Sequence, residues 1–144
     1  MAKTGSMSDT ALPSAPAPQV WPTLQAHDAP ALIRFYVEVL GFVVVAVYAD
    51  GDHVAHAQLS WPEGGGIMMG SYKPDRAWVR QPGTCGAYVV TDRVADLYAR
   101  VKAAHGVQIV SELSATDHGG EEFAIADPEG NMWSFGSYRG EPVG

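Results

Sequence analysis

The chain has a single cysteine and no long apolar run. Cys85 has no second thiol with which to form an internal disulfide, a pattern typical of proteins kept in a reducing compartment. No stretch has the roughly 20 consecutive apolar residues of a membrane-spanning helix, and no charged segment followed by an apolar one opens the chain. We therefore expect a cytoplasmic protein that has no membrane partner.

Positive charge is scarce as well. The 144 residues include 9 Lys and Arg against 16 Asp and Glu, which gives a formal net charge of -7. The phosphates of nucleic acids repel such a chain, so no nucleic-acid partner is expected. The excess of acidic residues favours cationic or neutral ligands. Because 47% of the residues are hydrophobic, the chain can bury the core of one domain.

The sequence does contain an internal repeat. Two segments recur 66 positions later: Pro62-Glu63-Gly64 as Pro128-Glu129-Gly130, and Gly70-Ser71-Tyr72 as Gly136-Ser137-Tyr138. Two helices with apolar stripes repeat at similar offsets, with Asp28 and Asp92 as expected N-caps and Gly41 and Gly106 as expected ends. These landmarks agree on one duplicated unit of the order βαβββ.

The composition divides the chain into an arm, a domain and a tail. Residues 1–18 are rich in Pro, Ala and Ser and predict a disordered arm, of which 1–6 resemble an expression leader. A single domain is expected over 19–139, with modules 19–72 and 84–139, a linker 73–83 and a tail 140–144. Within it, we expect strands at 20–25, 42–48, 53–61, 66–72, 84–91, 107–111, 121–126 and 132–138, and a loop at 112–120.

The third strand of each module shows which face is buried. In 53–61 the alternation predicts that Ala55, Ala57, Leu59 and Trp61 pack under a helix, and that Val54, His56, Gln58 and Ser60 face the other way. In the second module, Phe123 and Ile125 are expected to pack under the helix, which turns Glu122 to the opposite face of the sheet, as for His56. His56 and Glu122 are 66 positions apart and so occupy equivalent places.

Two segments carry a resemblance to a known family. The helix that ends in Phe35-Tyr36-x-x-Val39-Leu40-Gly41-Phe42, with Asp127-Pro128-Glu129-Gly130-Asn131 before an aromatic strand, resembles the vicinal oxygen chelate superfamily, the glyoxalase and bleomycin-resistance group. The resemblance covers about residues 20–138. It implies an α+β fold of two tandem βαβββ modules, whose curved mixed sheets enclose a cavity that a homodimer completes.

The resemblance also implies where a metal would bind. Relatives place a ligand at the start of each module's first strand and within its last strand, and the matching positions here are Trp21, Gly86, Met68 and Ser134. Indole, hydrogen and thioether are poor donors for a divalent cation. A shift of one residue in the alignment adds a single competent donor, Cys85. We therefore expect no metal at the usual site.

Strand parity then predicts what lines the cavity instead. If Trp21 and Ser134 face it, the residues two and four positions away on the same strands do so too. The expected ligand-binding residues are Trp21, Thr23, Gln25, His56, Gln58, Met68, Tyr88, Glu122 and Ser134. This mixture of aromatic, soft apolar and hydrogen-bonding groups suits a small organic ligand.

Two classes of function follow, and the sequence leaves open a third, a structural or interaction module with no small ligand. The first is a binding protein similar to the bleomycin-resistance branch, which holds an aromatic or cationic compound without a metal or other cofactor. The second is a glyoxalase-type lyase or isomerase, which needs a relocated divalent metal at His56 and Glu122 or metal-free acid-base chemistry by these two groups.

Overall fold

The computed structural model describes residues 18–117 and 119–143. The expected leader and all of the expected arm except Pro18 lie outside the described residues. The first module comprises β1 (Thr23–Ala26), α1 (Ala29–Phe35), β2 (Val43–Asp50), β3 (His53–Ser60) and β4 (Gly66–Ser71). The second comprises β5 (Gly86–Val90), α2 (Val94–Ala103), β6 (Gln108–Ala115), β7 (Glu121–Ala126) and β8 (Met132–Gly136).

Each module folds into its own four-stranded mixed sheet. The strand orders are β1-β4-β3-β2 and β5-β8-β7-β6, so the two sheets have the same topology. In each, the first strand runs parallel to the last and the other pairs are antiparallel. The expected α+β fold of two repeated modules is confirmed. Among the described strands, the sheets do not close into a barrel; β1 and β2 are the edges of the first sheet, and β5 and β6 are those of the second.

The first helix begins and ends where the sequence predicts. The Asp28 carboxylate accepts a hydrogen bond from the Ala31 amide at 3.1 Å, and Pro30 lies in the first turn. The chain continues from α1 into a π-helical turn, Tyr36–Leu40. Gly41 then ends the helix with a φ of 95°, a conformation that favours glycine.

The prediction that Asp92 caps the second helix is wrong. Arg93 precedes the first turn of α2, and its amide donates to the Thr91 hydroxyl at 3.1 Å. The Asp92 carboxylate instead binds Arg139, with oxygen to Nη2 distances of 2.8 and 2.9 Å. The Asp92 side chain, which the sequence predicts as the N-cap of α2, is therefore held by the charge of Arg139.

Each module supplies a glutamate to the helix entrance of the other. Glu129 accepts hydrogen bonds from the amides of His27 and Asp28 at 2.7 and 2.8 Å. Glu63, its counterpart 66 positions earlier, accepts from the Thr91 hydroxyl at 2.7 Å and the Asp92 amide at 3.0 Å. The repeated Pro-Glu-Gly turn is thus a reciprocal contact that joins the modules.

A bulge in β3 overturns part of the predicted alternation. Tyr48 pairs with His56, and the next residue, Ala49, pairs with Val54, so Ala55 has no partner in β2. Val54 is consequently buried and Ala55 exposed, the reverse of the prediction. Beyond the bulge, Ala57, Leu59 and Trp61 are buried as predicted.

The second module contains one strand that is longer than expected. The loop predicted over 112–120 is wrong at its start, because β6 continues to Ala115. Ser114 pairs with Glu122 and Ala115 with Glu121, so the polar composition of this segment belongs to an exposed edge strand.

One aromatic core runs through both modules. Tyr36 and Phe42 from the first module contact Trp133 from the second, with ring centroids 5.1 and 5.7 Å away. Asp127 is buried in this core, where it accepts hydrogen bonds from the Tyr36 hydroxyl at 2.5 Å and the Trp133 indole at 3.1 Å. Burial, together with the charge of Asp127, raises the pKa of Tyr36, so its hydroxyl remains a donor.

No helix in the described part of the chain is long and apolar enough to cross a membrane.

Candidate functional site

A cleft lies beside β1, below the linker that joins the modules. It consists of two adjoining cavities of about 340 and 310 Å³, which have Thr23, Leu24, Trp78 and Arg80 in common. The first cavity extends to Cys85 and Met132, and the second extends across β4 and β3 to Met68 and His56. These volumes are in the range of small-molecule sites in proteins.

The linker is held over the sheet by its main chain. The Gln25 Nε2 group donates to the carbonyl of Trp78 at 3.1 Å, and the Arg80 amide donates to Gln25 Oε1 at 3.2 Å. The Arg80 guanidinium donates to the Thr84 carbonyl at 2.8 Å, and Gln81 Nε2 donates to the Tyr72 hydroxyl at 3.0 Å. Both ends of the Gln25 amide are therefore used to position the linker.

Four of the nine expected ligand-binding residues line the second cavity. They are Thr23, Gln25, His56 and Met68. Thr23 lies opposite Met68 in the β1–β4 register, and Met68 lies opposite Gln58 in β3. Gln58 thus continues the same row without lining the cavity. The ring of His56 stacks on Tyr48 in the neighbouring strand, with centroids 6.1 Å apart.

Three other expected residues form a separate group on the second sheet. Tyr88 lies opposite Ser134 in the register of β5 and β8, and Glu122 lies opposite Gly136 in β7 and β8. The Tyr88 hydroxyl donates to the Tyr138 carbonyl at 2.8 Å. Burial raises the pKa of Tyr88, and the charge of Glu122 adds to the rise, although the hydrogen bond to Tyr138 opposes it.

Trp21 lies apart from both groups. It lines neither of the two cavities of the cleft. Its indole Nε1 donates to the Pro18 carbonyl at 3.2 Å, and its ring contacts Gly66, where a Cβ would lie 2.9 Å from Cζ3. The half-buried Trp21 therefore packs on the first residue of β4.

Sequence reasoning missed the three linker residues that line the second cavity. They are Arg76, Trp78 and Arg80. The signal available in the sequence was a tryptophan between two arginines in a segment with no apolar periodicity. Such a tryptophan has no helix or strand stripe to join, which marks it as a surface residue available for contact.

The sequence profile of the Glyoxalase/Bleomycin resistance protein/Dioxygenase superfamily matches residues 19–135. The chain belongs to this superfamily. No protein with a curated function matches it in sequence.

Solved structures from the superfamily have the same fold. TioX from Micromonospora sp. ML1 is 26% identical, with a TM-score of 0.66 over 79% of this chain and 93% of its own. A glyoxalase-related enzyme from Fulvimarina pelagi is 25% identical, with a TM-score of 0.61 over 88% and 92%. The bleomycin resistance determinant encoded on transposon Tn5 is 18% identical, with a TM-score of 0.58 over 85% and 99%, and this likeness concerns the fold alone.

The residues at the positions that the resemblance matches to metal ligands do not fit a divalent cation. Met68 and Ser134 stand within the last strands, and Gly86 begins β5. Cys85, which precedes Gly86, directs its thiol to the Thr23 carbonyl at 3.4 Å. His56 and Glu122 belong to different sheets. The described residues contain no group of three or more His, Cys, Asp or Glu that could hold a metal ion.

Proposed function

We propose that this protein binds a small planar organic molecule in the cleft beside β1, without the help of a metal. The observation that carries the proposal is the cleft itself. Two cavities of about 340 and 310 Å³ join below a linker that is held in place by Gln25. Together they are large enough for a molecule of two or three fused rings.

The chemistry of the lining supports a flat ligand. Trp78 offers an aromatic face at one side of the cleft, and the flexible thioether of Met68 adapts to an apolar surface. Thr23 and His56 supply a few hydrogen-bonding groups that can fix the orientation of a ligand. A site of this kind binds by stacking and shape and needs no Lewis acid.

We further propose that the protein works as a homodimer joined at β2. Five large apolar side chains of this edge strand are exposed: Val43, Val44, Val45, Val47 and Tyr48. An exposed apolar edge strand pairs readily with another chain, and a second copy offers a strand of the same composition. Tyr48 and His56 stack on each other, so the edge lies next to one wall of the cleft.

A second candidate function is a glyoxalase-type lyase or isomerase. Its support is the 25% identity with the glyoxalase-related enzyme from Fulvimarina pelagi. The expected acid-base or metal-binding pair, His56 and Glu122, lies on two different sheets of the chain. Of the two residues, His56 lines the cleft and Glu122 does not, which favours binding as the function of the cleft.

Binding is tested with a neutral planar dye, N-phenyl-1-naphthylamine, added to protein dialysed against a chelator. We expect saturable binding at one site per chain, unchanged by the chelator. Thr23 lines both cavities, so Thr23→Trp fills the cleft and should weaken binding at least about tenfold, a loss of about 1.4 kcal/mol.

The matched control is Gln108→Trp, which places the same indole on an exposed position of β6. It should leave dye binding unchanged. Dye binding that is non-saturable, or equal in the two variants, would refute the proposal. Binding that appears only when a divalent metal is restored would favour the enzyme.

A further inference from the structure

We propose that the ligand of the cleft is a planar aromatic anion, such as an aromatic carboxylate or sulfonate, recognised by Arg76 and Arg80 and stacked on Trp78. This inference rests on the proposed binding function and assigns the chemical class of its ligand. It follows from the charges, the exposure and the anchoring of the linker.

The charge that lines the cleft is opposite in sign to that of the chain. The chain carries a formal net charge of -7, with 16 acidic residues. Among the described residues, no Asp or Glu lines either of the two cavities, whereas Arg76 and Arg80 belong to the lining. Such a local inversion attracts anions and repels cations at short range, even though the distant field has the other sign. The lining therefore favours an anion where the composition alone favours a cation.

The two arginines are available to a ligand. The described part of the chain forms three ion pairs, which use Arg93, Lys102 and Arg139. Neither Arg76 nor Arg80 lies within ion-pair distance of a described carboxylate. Arg80 donates one hydrogen bond to the Thr84 carbonyl and keeps other N–H groups free for a partner. A guanidinium binds a planar carboxylate or a sulfonate through paired hydrogen bonds.

Trp78 gives the site an aromatic face between the arginines. Its side chain is 73% exposed, which leaves a large apolar surface in water. Trp78 is also two residues from Arg76 and two from Arg80, and all three line the same cavity. A flat ring that stacks on this indole brings an acidic substituent within reach of the guanidinium groups. An aromatic ring and an acid are therefore recognised by one segment.

The anchoring of the linker prepares this arrangement before a ligand arrives. The Gln25 amide binds the main chain of both Trp78 and Arg80. Side chains carried by a fixed main chain lose less conformational entropy on binding than those of a free loop. Gln25 is thus a positioning residue for the proposed site.

The test compares two dyes with one ring skeleton. The first is 8-anilino-1-naphthalenesulfonate, and the second is N-phenyl-1-naphthylamine, which lacks the sulfonate. We expect the anionic dye to bind about tenfold more tightly at low salt, and its advantage to shrink as salt is added. The cationic dye proflavine should bind more weakly than either.

Substitutions test whether the two arginines cause the higher affinity for the anionic dye. Arg76→Gln should weaken binding of the anionic dye about threefold, and Arg76→Gln combined with Arg80→Gln about tenfold, in each case by more than it weakens binding of the neutral dye. Arg76→Lys keeps the charge and should restore most of the affinity. The matched control is Arg34→Gln, which removes one exposed positive charge from α1, outside both cavities. It should change neither titration.

The outcomes separate the two proposals. If both dyes bind equally and the double variant changes neither, the anionic class is refuted and the binding function stands. Preference for proflavine refutes the class in the same way. If no dye saturates, the binding function fails, and the class fails with it. Thermal melts show whether Arg80→Gln disturbs the fold, because this substitution removes a hydrogen bond to the Thr84 carbonyl. Arg76→Gln removes a charge and none of the hydrogen bonds that hold the linker.

Discussion

Part of the strand lining of the cleft could be predicted, whereas the linker residues could not. Thr23 and Met68 face the cleft because strand parity fixes the side of every second residue. Trp78 and Arg80 reach the sheet through hydrogen bonds to Gln25, which is 53 and 55 positions away in the chain. A contact at such a separation has no periodic pattern in sequence, because tertiary packing creates it.

Substitutions of Trp78 and Trp21 test directly where the ligand binds. Trp78→Ala removes an exposed face that lines both cavities, and it should weaken the binding of N-phenyl-1-naphthylamine about tenfold through lost stacking and area. Trp21→Ala should leave the affinity within about twofold, because Trp21 packs on Gly66 instead. Dye titrations of the two variants measure the difference.

Thermal melts of the same variants supply the control. Trp21 is half-buried and Trp78 is 73% exposed, so Trp21→Ala should lower the melting temperature more. If Trp21→Ala abolished dye binding and Trp78→Ala left it intact, the ligand would lie on the side of Trp21, and the cleft beside β1 would not be the site.

The helices and strands were predicted from apolar periodicity and from the Gly, Pro and Asp residues at their ends. The errors occur where contacts between elements determine the structure. The Pro-Glu-Gly repeat was visible, but the role of its glutamates was not. Glu63 and Glu129 each act on the helix entrance of the other module, at positions 29 and 101 to 102 residues away. The same contact explains the wrong cap at Asp92, whose amide binds Glu63 while its carboxylate binds Arg139.

The Glu63 contact makes stability depend on pH. Burial alone would raise the pKa of this carboxyl, but hydrogen bonds from Thr91 and the Asp92 amide and the charge of Arg93 lower it below the ordinary 4.5. The unfolded chain then binds more protons between the two pKa values, so this contribution to stability rises with pH there. It is fully present above pH 4.5 and is lost as the pH falls through the lowered pKa.

Glu63→Gln should weaken this part of the pH dependence, and Glu63→Ala should also lower the free energy of unfolding at pH 7 by about 1 kcal/mol. Urea unfolding of each variant between pH 3 and pH 7 measures both effects. Glu121→Gln removes an exposed carboxylate from β7 and serves as the control. Equal pH profiles for the protein and Glu63→Gln would show that the contact carries no stabilising charge.

The duplicated modules differ in the composition of their edge strands β2 and β6, and this difference bears on assembly. β2 and β6 are equivalent, and each has an irregularity, between Val44 and Ala46 and between Ile109 and Ser111. At the places of Val43, Ala46 and Val47, however, β6 has Gln108, Ser111 and Glu112. The Glu112 carboxylate also accepts from Tyr98 and pairs with Lys102. Polar and charged groups protect β6 from pairing, and β2 has no such protection.

A matched pair of substitutions tests whether β2 joins two copies. Val45 and Val110 are 65 positions apart, stand at equivalent places in the repeat, and are 55% and 46% exposed. We expect the protein to sediment as a dimer at micromolar concentration. Val45→Lys should weaken dimerisation at least about tenfold, because a lysine within an apolar interface must lose its hydration or hold the strands apart. Val110→Lys adds the same charge to the protected edge and should leave the dimer intact. Dissociation by Val110→Lys alone would place the interface on β6, and a monomeric parent protein would refute the dimer while leaving the two-module fold unaffected.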